Sequence, residues 1–154
     1  PRLLDMKVEP FLIASTVNVI ISQRLIRRLC PEHDEYKLSA AEAASMAKNT
    51  DTDLITDMLA REKVIDSKTS FREIKFAKPK KSETCEDGYK GRIGIHEVLE
   101  MTSTIKDLVV KSATSDQLEA QARKEGMITM MDEGFIRAAQ NVTSVEEVFR
   151  VTNE

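Results

Sequence analysis

The sequence has no tryptophan, two tyrosines, five phenylalanines and two cysteines among its 154 residues. A core so poor in aromatic side chains must be built from Leu, Ile, Val, Met and Ala, which favours helices. Two cysteines are too few for a disulfide scaffold in a chain of this length, and such usage is typical of a reducing compartment. The net charge of -3 creates no strong field, so we expect neither nucleic acid nor an anionic membrane surface as a partner.

Long apolar runs are also lacking. The longest stretch without a charged residue runs from Pro10 to Gln23 and is interrupted by Ser, Thr and Asn. Because a membrane-spanning helix needs about 20 apolar residues, we expect no transmembrane helix and no direct membrane insertion. The N-terminal residues do not show the pattern of a signal peptide. The chain begins with Pro1 and not with Met, so we expect a piece of a longer polypeptide.

The apolar residues that are present predict an α/β chain in which helices predominate. From Pro10 to Leu29 they recur at steps of three and four, which predicts one long opening helix that ends at Cys30 and Pro31. Ser39 and Glu42 have the spacing of a capping box, which predicts the start of a helical hairpin. The remaining predictions are a helix from Thr50 or Asp51 to about Lys63, strands at Ser70–Ala77 and Ile93–Leu99 with a loop at Lys78–Lys90 between them, and helices at Ile105–Lys111, Leu118–Lys124, Met130–Gln140 and Val145–Val151.

Enzymatic chemistry has little support in these residues. None of the five glycines is followed by Lys, so the chain contains no Gly-Lys-Ser or Gly-Lys-Thr phosphate loop. Only two histidines are available, and no nucleophile turn accompanies them, which argues against nucleophilic catalysis. We therefore predict no catalytic residue in this chain.

One set of metal-binding residue types stands out. Cys30 and His33 have a Cys-x-x-His spacing, and Cys85 follows far along in a polar loop. Thiolate and imidazole are the ligands that structural zinc prefers, but such a site takes four ligands. Asp34, Glu83 or Asp87 completes a weaker site in one interpretation, and in the other each cysteine is free and His33 is solvated.

Two arginines are candidates for interface contacts. Arg24 lies in a cluster with Arg27 and Arg28, and guanidinium groups bind carboxylates and phosphates bidentately. Arg92 lies between Gly91 and Gly94 at the entrance of a predicted strand. For each arginine the alternative is a solvated or structural role, and for His96 we expect a half-exposed position in a strand.

Several strings of residues together resemble the C-terminal part of the type II secretion and type IV pilus assembly ATPases. They lie at both ends of the chain and leave the middle, from Tyr36 to Lys75, least similar. The strings are Arg2–Met6, Val8–Ser15, Gln23–Pro31, Gly88–Ile95, Glu97–Leu99, Glu125–Met127, Thr129–Met130, Gly134, Thr143–Val148 and Arg150–Thr152.

This resemblance implies a hexameric cytoplasmic motor with a RecA-like P-loop ATPase domain. Such a motor hydrolyses ATP with Mg²⁺ and acts on an inner-membrane platform protein, so it lies at the inner face of the bacterial inner membrane. Its partners are the neighbouring subunits of the homo-hexamer and that platform protein. The family's phosphate loop, acidic motifs and histidine motif precede the first string, so the resemblance implies that this chain alone is inactive.

The resemblance also implies a division of the chain. Residues 1–35 complete the RecA-like core, 36–69 form a variable helical insert, 70–101 hold two strands and a zinc-type loop, and 102–154 form a C-terminal helical subdomain. The family's two Cys-x-x-Cys pairs correspond to Cys30 with His33 and to Ser82 with Cys85, which implies zinc with three of its four ligands present. Lys7 stands where the family string has Gly, a change that affects a turn.

Two other functions remain open at this point. One is a free-standing helical interaction module derived from such an ATPase. The other is a small zinc-dependent binding domain. One bound metal per chain and unfolding by a chelator would support it.

Overall fold

The computed structural model describes residue 3 and residues 6–152. Arg2, Leu4 and Asp5 of the string Arg2–Met6 and the last two residues of the chain therefore lie outside the described residues. No helix in the described part of the chain is long and apolar enough to cross a membrane.

The described residues form both helices and strands. In chain order they are α1 (Pro10–Thr16), β1 (Val19–Leu29), β2 (His33–Lys37), α2 (Ala40–Asn49), α3 (Thr52–Arg61), a 3₁₀ turn (Phe71–Glu73), β3 (Lys75–Pro79), β4 (Tyr89–Glu100), α4 (Ser103–Val110), α5 (Ser115–Lys124), α6 (Met130–Ala139) and α7 (Val145–Thr152). The chain is therefore of the α/β class.

The strands form two small sheets. β1 pairs with β4 in one two-stranded sheet, and β2 pairs with β3 in the other. The β2–β3 pair is antiparallel, with Tyr36 opposite Phe76. Two strands alone bury little, so each pair depends on helices or further strands for cover.

The chain divides into two compact units. Unit 1 consists of Pro1–Ser22 and His96–Thr129, and unit 2 consists of Gln23–Ile95 and Met130–Glu154. In unit 1, Met101, Ile105 and Ala122 are buried between α1, α4 and α5. In unit 2, a larger core joins α2, α3, β3, α6 and α7, and its fully buried side chains include Phe76 and Phe135. Each unit therefore has its own apolar core.

The predicted long opening helix is wrong. The helix ends at Thr16, where the N–H of Val17 donates to the carbonyl of Ile13, and the chain then becomes an 11-residue strand. Valine and isoleucine are frequent from Val19 to Ile26, and these β-branched residues favour an extended backbone once a partner strand is available. The apolar residues from Pro10 to Leu29 recur at steps of three and four by chance in the strand part as well as in the helix. Residues 19–29 form a strand because they pair with β4.

The helices predicted with caps at Ser39, Asp51 and Thr114 are confirmed, and the two helices predicted near Ile105 and Val145 are present with Thr102 and Ser144 as the capping residues. The Ser39–Glu42 capping box begins α2, and the Asp51 side chain accepts from the N–H of Leu54 at the start of α3. A second capping box joins Thr114 and Gln117 at α5. The predicted strand at Ser70–Ala77 is partly wrong, because its first residues form the 3₁₀ turn and the strand itself is Lys75–Pro79.

Candidate functional site

The carboxylate of Glu147 is buried, with its side chain 0% exposed, and lies in a network of ion pairs. It lies on the first turn of α7, in unit 2, between two arginines. Its Oε2 accepts from Nη2 of Arg27 at 2.7 Å, and its Oε1 accepts from Nη2 of Arg150 at 2.7 Å. The backbone N–H of Arg27 also donates to Oε1, at 3.0 Å. The carboxylate thus ties β1 to the last helix.

This network holds Glu147 ionised. Burial alone raises the pKa of its carboxyl, but the hydrogen bonds from Arg150 and from the side chain and backbone of Arg27 outweigh burial and lower the pKa to about 2. The same hydrogen bond from Arg27 to Glu147 raises the pKa of the guanidinium. Both partners therefore stay charged throughout the physiological range.

Polar groups of β4 and of the loop before α7 extend the network. The guanidinium of Arg27 lies 4.1 Å from the centre of the Tyr89 ring, a cation–π contact, and its Nη1 donates to Asp87 at 3.2 Å. The hydroxyls of Tyr89 and Ser144 are 2.6 Å apart. The hydroxyl of Thr143 donates to the carbonyl of Arg27 at 2.8 Å. These contacts fasten β1, β4 and the start of α7 together.

The arrangement is suited to holding elements in place and not to catalysis. Each oxygen of Glu147 is already engaged by arginine, and burial raises the pKa of Tyr89 above its ordinary value of 10.0, so neither group is poised for proton transfer near neutral pH. What the network does is fix the position of α7 against β1 with charge-assisted hydrogen bonds.

The two cysteines lie together at one end of the β1–β4 pair. Cys30 and Cys85 are joined by a disulfide with their Cα atoms 6.7 Å apart, and both are buried. The interpretation of two free cysteines is therefore wrong. Nδ1 of His33 lies 3.2 Å from the carbonyl oxygen of Cys30, and not beside a thiolate.

This geometry does not fit the zinc that the resemblance implies. A zinc site needs deprotonated thiols, whereas both sulfurs are used in the bond to each other. Within residues 3 and 6–152, no three His, Cys, Asp or Glu side chains gather as a ligand set. A metal at Cys30, His33 and Cys85 stays a prediction.

The two interface arginines lie in different settings. Nη1 of Arg24 donates to the carbonyl of Val151 at 2.5 Å, so this guanidinium caps the end of α7 within unit 2. Arg92 lies exposed on β4, next to Ile93, which packs in the core. His96 is exposed on the same strand. Contacts of Arg24 or Arg92 with another subunit stay predictions.

Unit 1 carries an apolar pocket of about 720 Å³. Ile20 and Ser22 of β1 and Glu97 and Leu99 of β4 face it, and so does Leu118 of α5. Because side chains alternate along a strand, Val19, Ile21 and Val98 lie on the opposite side of the sheet.

We name the surface formed by Val19, Ile21 and Val98 the outer face of unit 1. These three residues are 47%, 62% and 47% exposed, respectively. Phe11 and Leu12 of α1 are also exposed, at 59% and 43%. Clustered exposure of large apolar side chains is unusual for a finished surface and marks a contact site.

The sequence analysis did not single out Glu147, Tyr89 or Ser144. All three lie within the strings on which the family resemblance depends, Gly88–Ile95 and Thr143–Val148. Arg27 was noted only as a member of a basic cluster. The local signal in those strings is the i, i+3 spacing of Glu147 and Arg150, whereas the contact of Glu147 with Arg27 joins residues far apart in the sequence.

Comparisons of the chain with known proteins agree with the family resemblance of its sequence strings. A family model described as "Type II/IV secretion system protein" matches residues 1–150. The chain belongs to this family. It is 35% identical over 153 residues to the type IV pilus assembly ATPase PilB of Pseudomonas aeruginosa, which covers 99% of the chain and 24% of that relative.

Two type II secretion relatives match equally widely. The type II secretion system protein E of Xanthomonas campestris pv. campestris is 35% identical, covering 99% of the chain and 24% of that protein. The type II secretion system ATPase E of Vibrio cholerae is 32% identical, covering 99% of the chain and 27% of that protein. The resemblance seen in the sequence is confirmed, and the chain spans about a quarter of the length of these relatives.

Proposed function

We propose that this chain is the C-terminal part of a hexameric cytoplasmic motor ATPase that powers type IV pilus assembly or type II secretion. The names of its relatives support the reaction and the two export systems. ATP and Mg²⁺ are bound by the preceding part of the motor, because the glycines of this chain offer no phosphate loop. The role of the chain is to complete the RecA-like core and to contact neighbouring subunits and the inner-membrane platform protein.

The outer face of unit 1 is the observation that carries this role. Val19, Ile21 and Val98 lie on a two-stranded sheet, and a sheet of two strands needs further cover to be stable. We assign this cover to residues that precede Pro1 in the full-length protein, since the relatives are about four times as long as the chain. The sheet of β1 and β4 then becomes part of a larger sheet, covered on both faces as in α/β proteins.

We assign a contact between neighbouring subunits to the exposed Arg92. Arg92 projects from β4 on the side opposite Ile93 and Ile95, which pack in the core of unit 2. An exposed guanidinium on a rigid strand is well placed to bind a carboxylate or a phosphate of a neighbouring subunit. Arg24 binds within its own chain and contributes to such a contact only through its remaining donors.

ATP turnover by two forms of the protein tests this proposal. We expect the full-length protein to hydrolyse ATP and the purified 154-residue chain to show no turnover, because phosphate and magnesium ligands are supplied by the preceding part. Turnover by the chain alone would contradict the proposal. A gene with no in-frame Gly-x-x-x-x-Gly-Lys-Ser/Thr string upstream of Pro1 would instead favour a free-standing interaction module.

Arg92→Ala in the full-length protein tests the subunit contact. We expect turnover to fall roughly ten-fold while the melting temperature stays within about 2 °C, since an exposed arginine contributes little to stability. Lys90→Ala, on the same strand and also partly exposed, is the matched control. Unchanged turnover in an assembled Arg92→Ala hexamer would remove Arg92 from the interface.

A further inference from the structure

The cysteine pair closes one end of the β1–β4 sheet. Cys30 follows the last residue of β1 directly, and Cys85 lies four residues before β4 begins at Tyr89. The disulfide spans a sequence separation of 55 residues, so it closes a loop that contains β2, α2, α3 and β3. A covalent bond here restricts the unfolded chain over that whole excursion.

Backbone contacts hold the two cysteines in register without help from a metal. The N–H of Cys30 donates to the carbonyl of Gly88 at 3.0 Å. Ser82 and Cys85 exchange two backbone hydrogen bonds, of 3.0 and 3.1 Å, which form a tight turn. Gly88 has a φ of +76°, and a Cβ there would lie 2.7 Å from Lys80 N, so the loop is closely packed where it meets Cys30.

The remaining side chains of a zinc site have other partners. The hydroxyl of Ser82 lies 3.3 Å from the hydroxyl of Thr84, and Nδ1 of His33 faces the Cys30 carbonyl. Asp34 pairs with Lys80 at 3.0 Å, and Asp87 pairs with Arg27 at 3.2 Å. His33, Ser82, Asp34 and Asp87 are therefore engaged in other contacts within unit 2.

We propose that Cys30 and Cys85 form a redox clip, a reversible disulfide that takes the place of a structural metal in this chain. The oxidant is a small-molecule disulfide such as oxidised glutathione. Local opening of the loop exposes the two sulfurs, which are buried in the folded chain. The thiolate of one cysteine then attacks the small disulfide and releases one thiol, and the second cysteine attacks the resulting mixed disulfide and releases the other. Two protein thiols lose two electrons and two protons, and one small disulfide becomes two thiols.

The closed clip secures the neighbouring ion network as well as the loop. Asp87 lies two residues beyond Cys85, and Arg27 lies three residues before Cys30, so their ion pair sits beside the disulfide. Tyr89 follows, with its ring under the Arg27 guanidinium. Opening the clip leaves the loop before β4 held by non-covalent contacts alone, and we expect its amide hydrogens to exchange at least ten-fold faster.

Peptide mapping of the full-length protein tests the clip directly. Trypsin cuts after Arg28, Lys37, Lys81 and Lys90, so each cysteine lies in its own nine-residue peptide, 29–37 and 82–90. The protein is equilibrated in glutathione buffers of increasing oxidation, quenched in acid, alkylated in denaturant and digested without reductant. We expect the linked peptide pair to replace the two alkylated peptides within this series, with faster exchange of residues 80–88 in the reduced protein.

Two variants separate the clip from a metal site. His33→Ala is expected to leave the midpoint of the glutathione titration unchanged, because the histidine is not part of the disulfide. Cys85→Ser is expected to abolish the linked pair and to leave Cys30 alkylated in reduced buffers and as a mixed disulfide with glutathione in oxidised ones. The proposal is overturned if both cysteines stay alkylated in the most oxidised buffer. It is also overturned if the protein, purified in excess zinc and reductant, keeps one zinc per chain that His33→Ala releases.

The clip does not depend on the proposed motor function. A positive peptide map with no ATP turnover would leave the clip standing and remove the motor. ATP turnover by a protein whose two cysteines stay reduced in every buffer would support the motor function and overturn the clip.

Discussion

A single buried carboxylate sets the position of the last helix. Glu147 accepts from both arginines and from a backbone N–H of β1. Burying such a charge is costly unless every oxygen is paired, and here the donors come from both sides. The residue is therefore the point in unit 2 where one substitution has the largest electrostatic consequence.

We expect Glu147→Gln to lower the free energy of unfolding by about 2 to 3 kcal/mol, because it removes one partner of a buried ion pair. The loss stays in this range since the side chains of Arg27 and Arg150 are 38% and 50% exposed, and water can solvate them. Glu146→Gln is the matched control, because Glu146 is the exposed neighbour. Urea unfolding measures the free energy of unfolding of both variants. An equal loss in Glu147→Gln and Glu146→Gln would contradict the role of Glu147 in the ion network.

The same carboxylate makes stability depend on acid. The pKa of Glu147 is lowered from 4.5 to about 2 on folding, so its contribution is complete above pH 4.5 and is lost as the pH falls towards 2. The shift corresponds to roughly 3 kcal/mol at neutral pH. Urea unfolding at pH 6 and at pH 3 should show a smaller acid-dependent loss in Glu147→Gln than in the wild type. Identical losses would mean that this group does not titrate as described.

At the scale of elements, α6 and α7 pack so closely that one glycine is required. A Cβ built on Gly134 would lie 2.6 Å from Cγ1 of Val148, a distance that real side chains do not adopt. Gly134 therefore serves the approach of two helices.

Gly134→Ala is expected to destabilise the protein by about 1 to 2 kcal/mol, because overpacking outweighs the better helix propensity of Ala. Val148→Ala in the same chain makes room for the new methyl group, so the double variant should lose less than the two single variants added together. Thermal unfolding of the four proteins gives this coupling. Strictly additive losses would show that the two side chains do not compete for the space.

The sequence was informative for elements that carry their own start signal. The capping boxes at Ser39 and Thr114 and the Asp51 cap are local, and the helices they predict are present. Gly126 lies just after the end of α5 with a φ of +96°, a backbone conformation that favours glycine at a helix end. Lys7 has a φ of +61°, which agrees with a turn at the position where the family string has Gly.

Elements that depend on distant partners could not be predicted in this way. β1 becomes a strand because β4, some seventy residues away, supplies its partner, and no local pattern of 19–29 reports this. β2 (His33–Lys37) is polar and was not predicted at all. Its partner is β3, which pairs with it from His33 to Lys37 and places the buried Phe76 opposite Tyr36. The exposed Glu35–Lys75 ion pair at 3.0 Å and the ammonium of Lys78, 4.2 Å from the centre of the Tyr36 ring, add only small contributions.

The candidate site was predictable only in part. The thiols of Cys30 and Cys85 were singled out together, and the structure joins them in a disulfide, while a metal at Cys30, His33 and Cys85 stays a prediction. Glu147 was missed because its importance arises from burial between β1 and α7, which sequence spacing does not reveal. Family resemblance located the right strings without saying which residues in them touch.

At the scale of the whole molecule, the chain is a part of something larger. Its two units each have a core, yet unit 1 leaves Val19, Ile21 and Val98 uncovered. The relatives are about four times as long, so the missing cover has an obvious source within the same polypeptide. We therefore propose that the outer face, which is exposed in this chain, is buried in the full-length protein.

One substitution compared in two contexts tests that claim most directly. Ile21→Asp introduces a charge at a residue that is 62% exposed, so in the 154-residue chain we expect the free energy of unfolding to stay within about 0.5 kcal/mol. In the full-length protein the same charge is buried without a partner, and we expect a clear loss of thermal stability and at least a ten-fold loss of ATP turnover. Ser103→Asp, at an exposed polar position on α4, controls for added charge. If Ile21→Asp proves as harmless in the full-length protein as in the chain, the outer face is not covered and the account is contradicted.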